Sequence, residues 1–299
     1  MKGYRGIILI ALAMAVSATA TANSRDQAQR IHNRLAGVPA DAATLTEMAQ
    51  LIDNNQVAEA AELAMDNPAF YNVTIKQFAT PWTNEAQDVF APLNDYTATI
   101  IGVVRDDVDF RRILYSDLLY VGNTSPAASP SSNAHYQALE DQHADLSTAL
   151  TESSQASQYG TPAEAVAGVL TTRAAANAFF YAGTNRAMLR FTMMNHMCRD
   201  LEQVKDTTRP SDRIRQDVSR SPGGDSRIFR NSCIGCHSGM DPLAQAFAYY
   251  DWEGEQEGNG GRMVYNSGND AETGTRVQGK YLINSNNFPW GYITPDNSW

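Results

Sequence analysis

In the last quarter of the chain stands Cys233-Ile234-Gly235-Cys236-His237, and few five-residue runs restrict a fold as tightly. Residues i, i+3 and i+4 of a helical turn share one face. Two thiols and an imidazole are therefore presented together, in the C-x-x-C-H pattern that marks c-type haem attachment. The spacing suits that chemistry. Both thiols can bond the two vinyl groups along one porphyrin edge while the imidazole reaches the iron. With three Cys and five His in 299 residues, random placement yields the motif only about 3 × 10⁻⁴ times. The expected site is thus Cys233 and Cys236 as covalent thioethers and His237 as proximal iron ligand, with one haem c as cofactor.

Two other readings use the same residues. A zinc site needs four Cys or His ligands; His196 and Cys198 supply two more, but at no usual finger spacing. A Cys233–Cys236 disulfide or thioredoxin-like redox pair lacks the βαβ surroundings of that motif.

The first residues bear on compartment. Lys2 and Arg5 precede an unbroken apolar run from Ile7 to Val16, and Ala20-Thr21-Ala22 follows the A-x-A pattern. This predicts a secretory signal peptide over residues 1–22. About ten apolar residues are too few to span a bilayer, and no later stretch is apolar enough. The mature chain is expected to be periplasmic or secreted, without an integral membrane anchor. Haem of the c type is attached outside the cytoplasm, so export and motif agree. A formal charge of -10 argues against nucleic acid as a partner, and three cysteines exclude a disulfide-stapled small fold.

The pattern up to about Gly122 is helical. Ser24 with Gln27, and Thr44 with Glu47, have capping-box spacing. A helix is predicted over Val57 to Met65, ended by Pro68. Tyr96 to Val104 is a β-branched apolar run that reads equally as strand or buried helix. Helical spacing returns from Phe110 to Leu118. Breaker-rich stretches at 123–133 and 147–162 flank a short helix around His135 to His143, and Thr161 with Pro162 suit the start of another. A long helix is predicted from Asn185 to Val204, because Ala187, Phe191, Met194, Cys198 and Leu201 form one apolar stripe. Cys198 on that stripe is expected to be buried and inert, with a disulfide to a partner elsewhere as the rival. Asp241 and Pro242 suit N-cap and N1 of a further helix, with Leu243, Ala246, Phe247 and Tyr250 on one face. Past Asp251 the chain is rich in Gly and Asn; Trp290, Tyr292 and Trp299 there could form a binding surface.

Charge divides the chain. Residues 23–160 carry 7 basic and 18 acidic groups, residues 161–299 carry 14 and 15. The expected organisation is therefore an acidic helical module over 23–160 and a haem-binding module over 161–299. The fold class is mainly α: a helical N-terminal module, then a cytochrome c-like helical haem module with a loop-rich C-terminal segment. Arg186 to Arg230 holds ten basic against six acidic residues. One or two of its arginines are expected to reach haem propionates, as guanidinium matches carboxylate geometry.

Arg173, Arg186 and Cys198, then Ser232 through Leu243, then Phe247 and Tyr250-Asp251 carry a family resemblance. They resemble a bacterial group of secreted cytochrome-like proteins in which C-x-x-C-H is followed by D-P-[LI]-[GA] and an aromatic-Asp pair. Asn94-Asp95-Tyr96 and Asp109-Phe110-Arg111 resemble the helical segment preceding that module. The resemblance spans roughly residues 90–255 and implies an exported haem protein. It implies no substrate. Relatives often carry a His just before the first Cys; here Arg227-Ile228-Phe229-Arg230 stands in its place.

Electron-transfer haems are usually held from both faces by Met or His. Met240 is too near His237 to swing round the ring, which leaves His196 or Met263 as distal candidates, then Met193 or Met197. The expected activity is one-electron transfer by a carrier rather than catalysis, with no catalytic residue and a redox partner of basic surface. The alternatives are a peroxidase-like haem enzyme with an open distal site and a surface interaction protein with an auxiliary haem.

Overall fold

Three helices begin the part of the chain that the computed structural model describes, which comprises residues 23–181, 185–209, 211, 214, 218–247, 249–255 and 260–265. The expected leader, Arg213, Arg215, Trp290, Tyr292 and Trp299 lie outside it. Between Thr74 and Ile75 the chain separates into two compact units.

The first unit contains α1 (Ser24–Leu35), α2 (Ala42–Asp53) and α3 (Val57–Met65). Their starts differ from the capping boxes expected at Ser24 and Thr44. Asn23 caps α1 by accepting from the Asp26 N–H at 2.8 Å. Asp41 caps α2 by accepting from Ala43 at 2.8 Å and Thr44 at 2.9 Å. A short amide or carboxylate side chain outranks Thr in this role. Ala28, Ala60 and Ala64 let the three helices approach closely around Met48 and Ile52, with Leu35 and Leu63 filling in.

The second unit is built on α4 (Asp95–Arg105), buried on every side from Asp95 to Val103. A helix enclosed on all faces shows no amphipathic period, which explains why Tyr96 to Val104 could not be told from a strand. Helical spacing over Phe110 to Leu118 becomes a 3-10 turn at Phe110–Leu114, and the chain then extends into β1 (Leu119–Gly122). α5 (Ala134–Asp141) lies within the helix expected around His135. β2 (Leu150–Ser153) pairs antiparallel with β1, Leu119 opposite Ser153.

Gly168 illustrates how tightly this unit is packed. Its φ is +54° and an added Cβ would overlap the Ile113 carbonyl oxygen, a backbone atom that no rotamer change moves. Gly168→Ala is expected to destabilise by at least about 3 kcal/mol. A urea midpoint unchanged from wild type would refute that close contact.

After Thr161-Pro162 only two 3-10 turns form, Ala163–Ala165 and Gly168–Thr171. The helix starts ten residues later, as α6 (Arg173–Phe179). Its N-terminus is set by Asp95, whose buried carboxylate accepts from the N–H groups of Arg173 at 2.6 Å and Ala174 at 3.0 Å. These bonds cross residue 160, so the module boundary expected there falls inside one compact unit.

The long helix expected over 185–204 is two. α7 (Arg186–Met197) ends at Cys198, which has φ +51°, and α8 (Leu201–Val204) follows. Asp200 and Gln203 make a reciprocal capping box that restarts the chain. Arg190 pairs bidentately with Asp200, Nε–Oδ1 2.9 Å and Nη2–Oδ2 2.8 Å, across the turn. Cys198 is consequently exposed and a free thiol, not buried on a continuous stripe. α9 (Ile234–Ala244) packs on α7, and β3 (Tyr250–Glu253) pairs antiparallel with β4 (Arg262–Tyr265). The architecture is mostly helical. Among the described residues no helix is long and apolar enough to cross a membrane.

Candidate functional site

The C-x-x-C-H run crosses from a π-helical turn at Phe229–Cys233, which ends on its first cysteine, into α9, which carries Cys236 and His237. Small side chains let it lie close to the segment after α8. A Cβ on Gly235 would come within 3.1 Å of Thr207 Cγ2, so this glycine admits the neighbouring strand of chain. The Gly235 carbonyl accepts from the Asp206 N–H at 3.0 Å, and the Ser238 hydroxyl donates to the Asp206 carbonyl at 3.3 Å.

Cys233 and Cys236 are half-buried free thiols on one helical turn, and the disulfide reading of this pair is not realised. Cys236 Sγ lies 3.8 Å from the Leu201 carbonyl oxygen. Burial, with Glu202 nearby, pushes the Cys236 thiol above its usual value, which keeps it protonated at neutral pH.

His237 follows directly, and its Nδ1 is 3.0 Å from Asp241 Oδ1. The same oxygen lies 2.6 Å from Arg186 Nε, and Oδ2 lies 3.1 Å from Arg186 Nη2. Asp241 is fully buried. Burial alone would raise its carboxyl, but the hydrogen bonds from His237 and Arg186 outweigh that and hold it below the usual carboxylate range. Asp241 is therefore not the N-cap expected from the Asp-Pro pair. α9 runs on through Pro242 for two more residues, because the carboxylate is engaged sideways rather than with the backbone ahead of it. Nor do Leu243, Ala246, Phe247 and Tyr250 share one buried face: Leu243 and Ala246 are exposed, while Phe247 and Tyr250 pack on Phe180.

The distal candidates sit apart from one another. His196, near the end of α7, is half-buried between Trp82 and Tyr96, with ring centroids 5.4 and 6.5 Å away. The Tyr96 hydroxyl is hydrogen-bonded to its Nε2 at 2.9 Å. Burial lowers the His196 pKa to about 4, so the imidazole is neutral. Met263 lies on β4 opposite Trp252 and lines a cavity of about 240 Å³ together with Tyr159, Thr161, Arg173 and Tyr265. Met193 is half-buried and Met197 exposed, both on α7.

The depressed His196 pKa carries a stability prediction. The unfolded imidazole takes a proton near pH 6.5 and the folded one only near 4. The stabilisation is complete above pH 6.5 and is lost as pH falls toward 4. Between pH 7 and 4.5, His196→Gln is expected to lose about 2 kcal/mol less stability than wild type, after allowance for partial exposure. Urea titrations of both proteins at the two pH values measure this, and equal losses would refute it.

Most of the basic band is neutralised locally. Arg186 pairs with Asp241, Arg190 with Asp200, Arg209 with Asp206 and Arg227 with Asp225. Arg220 donates to the Val218 and Ile214 carbonyls at 2.7 and 2.8 Å and lies over the Phe229 ring. Arg173 donates to the Gly261 carbonyl at 3.2 Å and stacks on Trp252.

The donor set fits a covalent haem better than zinc. Among the described residues no three His, Cys, Asp or Glu side chains gather into a metal-holding group, so His196 and Cys198 do not complete a zinc site with the motif. One imidazole and two thiols on a single turn are what thioether attachment requires. Met197, Val204, Ile228 and Leu243, on α7, α8, the turn Ser226–Ile228 and α9, are exposed apolar side chains. Sequence reasoning missed Asp241 as the partner of His237, although the i, i+4 spacing was legible. It also missed Tyr96 as the partner of His196, which lies 100 residues away. Comparison of the chain with protein-family models, curated proteins and solved structures gave no match, so the assignment of this site stands on its own residues.

Proposed function

We propose that the chain is an exported, monohaem c-type cytochrome that carries one electron at a time. The observation that supports this most is the pairing on one turn of two free thiols with an imidazole whose Nδ1 is committed to a buried carboxylate. When bound, the haem supplies reversible one-electron chemistry at iron. The chain's own residues do the rest. Cys233 and Cys236 would hold the haem through thioethers, each thiol adding across one vinyl double bond so that sulfur and hydrogen go to its two carbons and nothing leaves. Asp241 accepts the Nδ1 proton of His237, which fixes the tautomer whose Nε2 lone pair is free for the metal. His196 or Met263 is the proposed distal ligand. His196 rides on α7, the helix packed against α9, and must release the Tyr96 hydroxyl to bind metal. The acidic surplus of residues 23–160 suits steering of a basic redox partner in the periplasm or outside the cell.

A second reading, a peroxidase-like enzyme, is favoured by the buried Asp241, because a carboxylate-bonded imidazole donates more strongly to iron. One set of spectra separates the two. A carrier gives a reduced pyridine haemochrome of one covalent haem per chain and a low-spin spectrum unmoved by cyanide or peroxide. A high-spin spectrum altered by peroxide selects the enzyme. A mass equal to the bare processed polypeptide, from a host competent in cytochrome maturation, overturns both.

A further inference from the structure

We infer that Arg186 and Asp241 are positioning residues that set the potential of the site in opposite directions through His237. This rests on the haem reading above and deepens it. Asp241 Oδ1 is shared: His237 Nδ1 lies 3.0 Å from it and Arg186 Nε 2.6 Å. Imidazole and guanidinium therefore compete for the same negative charge. Asp241 is fully buried and the Arg186 side chain is 18% exposed, so water screens the pair only weakly on the carboxylate side.

The physical consequence has a sign for each residue. A carboxylate at Nδ1–H gives the imidazole anionic character, makes Nε2 a stronger donor and favours the ferric state. Asp241 thus lowers the potential. Arg186 draws charge off the same oxygen and raises the potential back. Its grip is short and two-pronged, which is the arrangement that lets Arg, more than Lys, hold a carboxylate.

Arg186 is also held in register. Asn185, just ahead of it, is fully buried with φ +57°. Its Nδ2 donates to the Phe247 carbonyl at 2.5 Å and the Tyr250 carbonyl at 2.9 Å. Those carbonyls belong to the segment that follows α9. The start of α7 is bolted to the chain just beyond Asp241, so the guanidinium cannot drift from the carboxylate without breaking these bonds.

The test is a spectroelectrochemical titration of the holoprotein at pH 7, with haem counted by pyridine haemochrome in every variant. Asp241→Asn is expected to raise the midpoint and Arg186→Gln to lower it. Each shift should be equivalent to about a tenfold change in the ferric-to-ferrous ratio, about 59 mV for one electron. Arg186→Lys, which keeps charge but loses the two-point grip, should fall between wild type and Arg186→Gln. Should Arg186→Gln fail to fold, opposite shifts in Asp241→Asn and Arg186→Lys still carry the proposal. Midpoints that move together, or do not move while haem is bound, overturn it, since a merely structural role predicts no opposition of sign. Absence of haem from the wild-type protein instead overturns the haem reading itself.

Discussion

Replacing Cys233 and Cys236 together by alanine is expected to give an exported chain with the mass of the bare processed polypeptide and no haem retained after acid-acetone extraction. Both thiols are half-buried and neither is in a disulfide, so the substitutions remove two sulfur atoms from sites that the rest of the fold does not lean on. Each should cost on the order of 1 kcal/mol or less, and far-ultraviolet circular dichroism should stay helical. That contrast makes the result readable, because cofactor is lost while fold is kept. Either single variant should retain haem through the remaining thioether, with a haemochrome band displaced toward that of a haem with one free vinyl group. His237→Ala keeps both thioethers but removes the proximal nitrogen, so its ferrous spectrum should become high-spin or open to added imidazole. Haem held covalently in the double variant would place the attachment elsewhere and end the present assignment.

The second large effect lies away from the motif. Asp95→Ala is expected to destabilise the protein by about 3–5 kcal/mol, the range for removing one member of a buried charged network. Asp95 is 1% exposed and accepts from three backbone N–H groups: Arg173 at 2.6 Å, Ala174 at 3.0 Å and Tyr96 at 3.0 Å. The Tyr159 hydroxyl adds a fourth bond at 3.3 Å. Burial pushes the carboxyl above its usual value, and these donors pull it back without fully offsetting the burial. Alanine would orphan the first N–H groups of α6 and remove a negative charge that favours the charged form of the Arg173 guanidinium. Guanidinium chloride unfolding measures the loss, and a drop under about 1 kcal/mol would show that water satisfies these N–H groups beside the Thr172 cap on Ala175.

That network also changes how the wider resemblance reads. Asp95 and Arg173 are among the residues on which a likeness to a secreted cytochrome-like group was expected, and in the fold they tie α4 to α6 and Arg173 to β3 and its flanking loop. Their chemistry is architectural. Arg186, from the same set, is different, because its carboxylate is the one that His237 touches.

What was legible in the chain was local. Val57–Met65 forms the helix that the pattern indicated, bound for bound, because an amphipathic stripe and a following Pro act within a few residues. That Cys236 and His237 lie on a helix was legible for the same reason, since local spacing sets it whatever surrounds it. The break at Cys198 was also local, but its signal, Asp200 with Gln203, was masked by an apolar stripe that ran past it.

What only the tertiary structure decided was every pairing between distant residues. Whether Tyr96 to Val104 is a helix depended on being enclosed on all sides, which erases the period that identifies a helix. Arg186 meets Asp241 across 55 positions, Tyr96 meets His196 across 100, and Asp95 meets Arg173 across 78. A buried charge or ring must find a partner somewhere, but the order of residues along a chain does not say where. Spacing along the chain thus set which donor atoms the proposed site would use, and packing between helices chose the charges placed beside them.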